Sequence, residues 1–327
     1  MWSDKTVDGR GFGVGRPPET SWYQNGPGDM VKFEDTHIFN NNFYLTGKYA
    51  QIDSGYELDP KGGRDVDAWW EDPQYDDNAQ DGWHRSYRYY KQVMPQKNTR
   101  ADRACFIPVA GVSHELKFGF GYRDTPARSE TVWPGNGNFG NFYDGYALAA
   151  LTRPAVPNFG SRYLDFYLGD TISLGNLTLN GGFRYDLQGA KNFGSSVPGN
   201  PVGPHLLPAT SFAGDDRSLE WKGISPRLGA TWALGSEKKT LLKASYNRYM
   251  DQLGSSDAGA SNPFYLVQML YYYWEDVNGD RTVQRNEIDF DSGLYSSSNI
   301  DPANPTGGYA PGRLDYDMDP TTTEGII

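Results

Sequence analysis

SPRLGATWALGSEKKTLLKASYNRY, residues 225–249, holds two alternating runs joined by a polar turn. In the first run Leu228, Ala230, Trp232 and Leu234 fall on one side, and Arg227, Gly229, Thr231 and Ala233 on the other. In the second, Leu242, Ala244 and Tyr246 lie opposite Lys243, Ser245 and Asn247. A period of two means strands, because successive side chains of an extended chain point to opposite faces. Residues 235–239, GSEKK, are the turn. An apolar face of Leu, Ala, Trp and Tyr backed by a charged one suits a soluble sheet with one covered side. It suits equally a membrane barrel with lipid outside and a wet lumen inside.

The same pattern recurs along the chain. In 112–122, Leu116, Phe118, Phe120 and Tyr122 oppose Glu115, Lys117, Gly119 and Gly121. In 162–172, Leu164, Phe166 and Leu168 oppose Tyr163, Asp165 and Tyr167. In 176–186, Leu177, Leu179, Phe183 and Tyr185 oppose Thr178, Asn180, Arg184 and Asp186. Residues 38–52 alternate too, and 83–93, 101–109, 143–152 and 264–274 read as further strands. That makes about ten strands of about ten residues, the length that crosses a bilayer when tilted. Residues 1–30 are rich in Gly and Pro and read as loop. So do 55–81, with Trp69, Trp70 and an Asp cluster, the stretches 123–140 and 188–216, and the acidic segment 275–327. The expected organisation is an N-terminal loop over 1–30, barrel strands and loops over 31–274, and an acidic loop of extracellular type over 275–327. Very short connections, as at Gly175, coexist with ones of roughly twenty residues or more. Compact soluble domains seldom hold several such loops. Outer-membrane barrels do, with short periplasmic turns and long extracellular loops.

Composition narrows the classes. A net charge of -11, from 30 basic and 41 acidic residues in 327, argues against a nucleic-acid partner. Apolar residues are 37% of the chain and mean hydropathy is -0.68, yet 15% of residues are aromatic. That mixture suits a barrel in which only every second strand residue meets lipid. Cys105 stands alone and reads as a strand-face thiol. No run has the apolar length of a membrane helix. The start, MWSDKTVDGRGFGVGRPPE, lacks the basic and apolar regions of a signal peptide. A barrel without one is expected to be a piece of a longer protein.

Several stretches together resemble the barrel of TonB-dependent outer-membrane receptors. They are HELKFGFGYRDTP (114–126) with VWPGNG (132–137), LGDTISLGNLTLNGGFRYD (168–186), and SPRLGATWAL with KTLLKASYNRY (225–249). DTHIFNNNFYLTGKYAQIDSGYELDPKGG (35–63) resembles the Oar-like branch of that family. The resemblance covers about 31 to 320. It implies an all-β fold: a partial antiparallel transmembrane barrel, roughly half of a 22-stranded one, with long extracellular loops. It also implies a Gram-negative outer membrane, bound lipid and an extracellular substrate. Energy would come from the TonB system through a plug domain that these residues do not contain. An energy-coupling box and a terminal aromatic strand are expected elsewhere too, which again points to a middle piece.

Candidate chemistry is sparse. Asp276, Asn278, Asp280, Thr282 and Glu287 follow the spacing of a twelve-residue calcium loop, in which oxygens at alternate positions wrap one hard cation. Its sixth position is Arg281, where the sharp turn wants Gly. The rival reading is an acidic surface loop. Trp69, Trp70 and Trp83 are ligand-loop candidates that could stack on a sugar or peptide, or pack on neighbouring loops. Tyr271-Tyr272-Tyr273-Trp274 is expected as an interfacial girdle. Arg184 and Arg227 are expected in the lumen, Arg184 or Arg227 paired with Asp165 or Asp186, since lipid exposure at mid-depth costs about 2–4 kcal/mol each. Residues 135–140, GNGNFG, match GxGxxG with no helix after them, so a flexible loop is the better reading. Ser236 and Lys239 share a tight turn. The four histidines show no ligand spacing. No cofactor other than calcium and no enzyme chemistry is expected. Two alternatives keep the strands and change the function. A secreted or surface β-protein binding carbohydrate would cover its apolar faces with a second sheet. A β-rich hydrolase would set two carboxylates in one cleft.

Overall fold

A computed structural model describes residues 2–72, 82–109 and 111–327. Asp76, Asp77 and Asp81 of the acidic cluster lie outside the described residues. In chain order the strands are β1 (Trp2–Arg10), β2 (Trp22–Asn40), β3 (Phe43–Pro60), β4 (Ala68–Glu71), β5 (Gly82–His84), β6 (Tyr89–Val93), β7 (Gln96–Val109) and β8 (Val112–Val132). They continue with β9 (Asn138–Tyr143), β10 (Tyr146–Arg153), β11 (Asn158–Leu174), β12 (Leu177–Val197), β13 (Thr210–Gly214), β14 (Leu219–Leu234) and β15 (Thr240–Met250). The last are β16 (Gln268–Trp274), β17 (Ile288–Asp289), β18 (Ser296–Ser298) and β19 (Thr322–Ile326). A single α-helical turn, α1 (Ser255–Gly259), lies between β15 and β16.

Two sheets form. The larger is an antiparallel meander in the order β1-β2-β3-β6-β8-β11-β12-β14-β15-β19, with β7 in line with β6 between β3 and β8. β6 and β7 part at Met94-Pro95, where proline has no N–H to give the ladder. This is a partial barrel wall, and the hairpin at 225–249 is its β14–β15 pair, with Trp232 opposite Leu242 and Leu228 opposite Tyr246. Tight turns at 41–42, 175–176 and 235–239 close one end of the wall, the end where Val109 of β7 also pairs with Val112 of β8. Every long connection leaves from the other end.

The faces of the wall divide by chemistry. One cross-strand row reads Phe120, Phe166, Tyr185, Ile224, and the next Phe118, Leu168, Phe183, Pro226. Leu228 and Trp232 are 51% and 52% exposed, and Phe183 is also exposed. No second layer covers these described residues, so a sandwich is ruled out and an apolar solvent is what the face fits. Arg103 stands on this face, its guanidinium lying 3.5 Å from the Phe43 ring centroid, so its stem packs while its charge is shielded by aromatic faces.

The smaller sheet is built from the long connections. Its order is β17-β16-β10-β9-β4-β5, with β18 on β16 and a parallel β4–β9 pair. The principal cores sit here rather than in the wall. Ala149, Leu151, Leu270, Tyr272 and Trp274 pack with Leu207, Val283, Ile288 and Ile300 on one face. Ala68, Trp133, Phe139, Ala150, Ala155 and Val267 pack on the other.

Several expectations change accordingly. Residues 1–30 are not simply loop, since β1 and the start of β2 pair there. The run 38–52 bends through Asn41-Asn42 and belongs to two strands. The run 83–93 splits between the two sheets, at a break where Arg85 adopts φ 64°. The strands expected at 143–152 and 264–274 belong to the smaller sheet, called the cap below, and not to the wall. Tyr271-Tyr272-Tyr273-Trp274 is therefore no girdle: Tyr272 and Trp274 are buried in the cap core. Within 188–216 the wall strand β12 runs on to Val197, and β13 pairs with it. The acidic segment from 275 carries β17, β18 and β19, the last of which returns to the wall beside β15.

Candidate functional site

On the lumen side of the wall the alternate residues gather charge. Register sets Asp165 opposite both Gly121 and Asp186. Arg184 bonds Asp186 at 2.7 Å and reaches Asp165 at 3.1 Å. Arg100 bonds Asp102 at 2.9 Å, and Tyr167 donates to Asp102 at 2.9 Å. Tyr163 donates to Asp186 and accepts from Arg184. Gly121 makes this possible, because a Cβ there would collide with the Asp165 carboxylate. Asp165 is 4% exposed, and its Oδ1 has no hydrogen-bond partner among the described residues. It faces a polar cavity of about 200 Å³ with Arg100, Arg123 and Arg184. The pairing expected for Arg184 is present. Arg227 instead lies over the Tyr249 ring, 5.2 Å from its centroid. Asp165 and Asp186 thus lie side by side and share the one Arg184 guanidinium.

The cap holds the tryptophans singled out by sequence, and it separates them. Trp70 and Trp83 are paired across β4 and β5 and line one open cavity. Trp69 faces the other way and stacks on the His84 ring at 3.8 Å, with Phe142 edge-on at 5.6 Å. Burial holds the His84 pKa below the ordinary imidazole value; the Glu71 carboxylate, 3.7 Å away, opposes this. Trp83 packs against Trp133 at 4.6 Å and Phe139 at 5.1 Å. Burial also raises the pKa values of Tyr143 and Tyr271, which share the cavity.

The calcium-like spacing folds as a hydrogen-bonded turn. Asp276 accepts the Arg281 N–H at 3.2 Å, with the Arg281 guanidinium 3.5 Å away. Asn278 accepts from the Asp280 N–H at 2.9 Å, and Asp280 from the Thr282 N–H at 2.8 Å. Thr282 Oγ1 donates to Asp67 at 3.1 Å, and Glu287 accepts from the Trp274 indole at 3.3 Å. Among the described residues no three His, Cys, Asp or Glu side chains gather as a metal-holding group. Arg281, at φ 61°, takes the left-handed position that glycine would fill and supplies positive charge beside Asp276.

Sequence reasoning missed Arg153. It is fully buried and has no carboxylate partner among the described residues. It donates to Gln268 at 2.6 Å and to the Pro208, Pro305 and Gly307 carbonyls at 2.8 Å each. Burial lowers its pKa to about 10. One guanidinium thus ties β10 to β16 and to two distant loops. Asn138 and Asn200 add a second knot, joined at 2.6 Å. Nothing local in the sequence marks such residues, because their acceptors are backbone carbonyls far along the chain.

The profile of the family described as TonB dependent receptor-like, beta-barrel, matches residues 2–308. Among solved structures, the outer membrane transporter YddB from Escherichia coli is similar at TM-score 0.50 and 13% identity, over 84% of this chain and 35% of that one. The ferric citrate transporter FecA in its unliganded form gives TM-score 0.47 and 10% identity, over 77% and 33%. The siderophore receptor PiuA from Acinetobacter baumannii gives 0.46 and 12%, over 80% and 41%. The chain therefore spans well under half the length of these structures. The YddB likeness bears on fold alone. No curated protein matches the chain.

Proposed function

Because the chain belongs to the TonB-dependent receptor β-barrel family, we propose that it forms part of the wall and the extracellular cap of an outer-membrane uptake receptor. The observation that carries the reading is the division of the wall. Phe120, Phe166, Tyr185 and Ile224 form one outward row, while on the inward side Arg184 holds Asp165 and Asp186 and Arg100 holds Asp102. Substrate would be caught at the cap and passed along the charged lumen. The energy would arrive from the inner-membrane TonB system through a plug domain contributed from outside this segment. An Oar-like affiliation fits residues 35–63 and belongs to the same proposal.

The test combines location with energy dependence. The polypeptide should sediment with outer-membrane markers and run as a heat-modifiable band. Uptake of its substrate should stop when the inner-membrane proton gradient is collapsed. Recovery in a soluble fraction without detergent would remove the reading.

A further inference from the structure

We propose that the aromatic cavity on the cap sheet is a binding site for a neutral carbohydrate. The site deepens the receptor reading, on which it rests only for placing the cap outside the cell. The cavity, of about 300 Å³, is lined by Trp70, Trp83, Trp133, Phe139, Tyr143 and Tyr271, with Met269 and Asn141 completing it. The strand period explains the gathering. Phe139, Asn141 and Tyr143 alternate along one face of β9, Trp70 lies opposite Asn141 in the parallel pair, and Tyr271 lies opposite Ala150, itself paired with Phe139. Ring faces carry negative quadrupole potential, and the C–H face of a pyranose presents a matching positive edge.

Asn141 is the second observation. It is 6% exposed and lines the cavity. An amide at the cavity wall offers both a donor and an acceptor, which a pair of sugar hydroxyls would satisfy. Charge selects the class. Among the described residues no Lys or Arg lines the cavity. An anionic ferric complex would find no counter-charge there. A neutral ring meets no such cost.

The aromatic surface also continues beyond one ring. Tyr143 stacks on Tyr146 at 4.9 Å, Tyr146 meets Tyr273 at 6.2 Å, and Tyr273 meets Tyr295 at 5.3 Å. Tyr146, Tyr273 and Tyr295 are exposed. An oligosaccharide could therefore run from the cavity along this strip.

The experiment uses the receptor as its host makes it, extracted from outer membranes in detergent. Tryptophan fluorescence and calorimetry follow titration with neutral malto-, cello-, xylo- and laminari-hexaoses, and with ferric citrate as the anionic arm. One neutral series should bind saturably. Trp70→Ala should weaken it about tenfold, the scale of removing one anchoring aromatic, and Trp70→Phe should recover most of the loss. Asn141→Asp should also weaken it. Tyr273→Ala should affect the hexaose more than the disaccharide of the same series. Trp232→Phe, on the outer wall, should change nothing. Heat-modifiable mobility in each sample reports the barrel separately, so a folded receptor that ignores every neutral sugar overturns the site and leaves the receptor reading standing. Unchanged affinity in folded Trp70→Ala, or ferric citrate competing for the cavity, overturns it as well.

Discussion

Replacing Leu228 and Gly229 by arginine, one at a time, puts the same charge on either side of the wall at nearly the same height. Leu228 lies six positions before β14 ends at Leu234, beside the tight turn. At about 3.3 Å per residue and a tilt near 45°, that is about 14 Å from the short-turn rim, close to the middle of a hydrocarbon layer about 25–30 Å thick. Leu228→Arg should therefore cost about 2–4 kcal/mol, a shift of roughly thirty- to several-hundred-fold in the folding equilibrium. Gly229 faces the lumen. A Cβ there would meet only ordinary contacts, at 3.8 Å from the Ala244 carbonyl and the Asn180 side chain. Gly229→Arg should cost less than about 1 kcal/mol, since its charge stays in water. Both variants would be prepared in the receptor, reconstituted into lipid vesicles and titrated with urea, with gel mobility and fluorescence as readouts. If Leu228→Arg proved no less stable than Gly229→Arg, the outward face would not meet hydrocarbon, and the barrel argument would fail.

Arg184→Met should destabilise the wall by about 3–5 kcal/mol, because Asp165 and Asp186 would stay buried without their cation; adding Asp165→Asn should restore part of the loss in the same urea titration. Acidification from about pH 7.5 to 5.5 should loosen the cap: His84 is held neutral by burial, so the unfolded chain takes up the proton first, and stability falls as pH drops through the ordinary imidazole range, levelling once His84 itself protonates. His84→Phe should flatten that dependence in near-ultraviolet melting curves. Arg153→Leu should leave three carbonyls and Gln268 without a donor, cost about 3 kcal/mol or more, and expose the 200–210 and 300–310 segments to limited proteolysis. Chelation should leave cap melting unchanged, as Arg281 already neutralises Asp276; a calcium-dependent rise would show an ion gathered there.

The wall was legible because period two has a direct physical cause and a long run in which to show it. Leu177, Phe183, Leu228 and Trp232 could be assigned to one face, and Arg184 to the other, from alternation alone. The cap was not legible for the same reason. Leu148 to Leu151 is apolar at every position because both faces of β10 are buried, so alternation vanishes where burial is deepest. Short strands such as β4 and β5 offer too few residues for any period. The parallel pairing of β4 with β9 joins segments about seventy positions apart, which no local pattern announces. Trp70 and Trp83 could be marked as notable, but their shared face, and the turning away of Trp69, depend on that pairing.

The two sheets answer to different solvents, and this accounts for the odd composition. A wall lined by lipid and water needs apolar residues on one side only and has no interior to fill, so mean hydropathy stays low at -0.68. The cap is the part that must bury a core, and it does so with aromatics on both faces of one sheet. Trp274 lies over Gly140 on one face, where any side chain at that glycine would collide with the indole. Trp83, Trp133 and Phe139 interlock on the other. Aromatic abundance in a hydrophilic chain is thus concentrated where the long connections become a folded unit. A rigid cap can hold Trp70, Tyr143 and Asn141 in fixed relation, which mobile loops could not do.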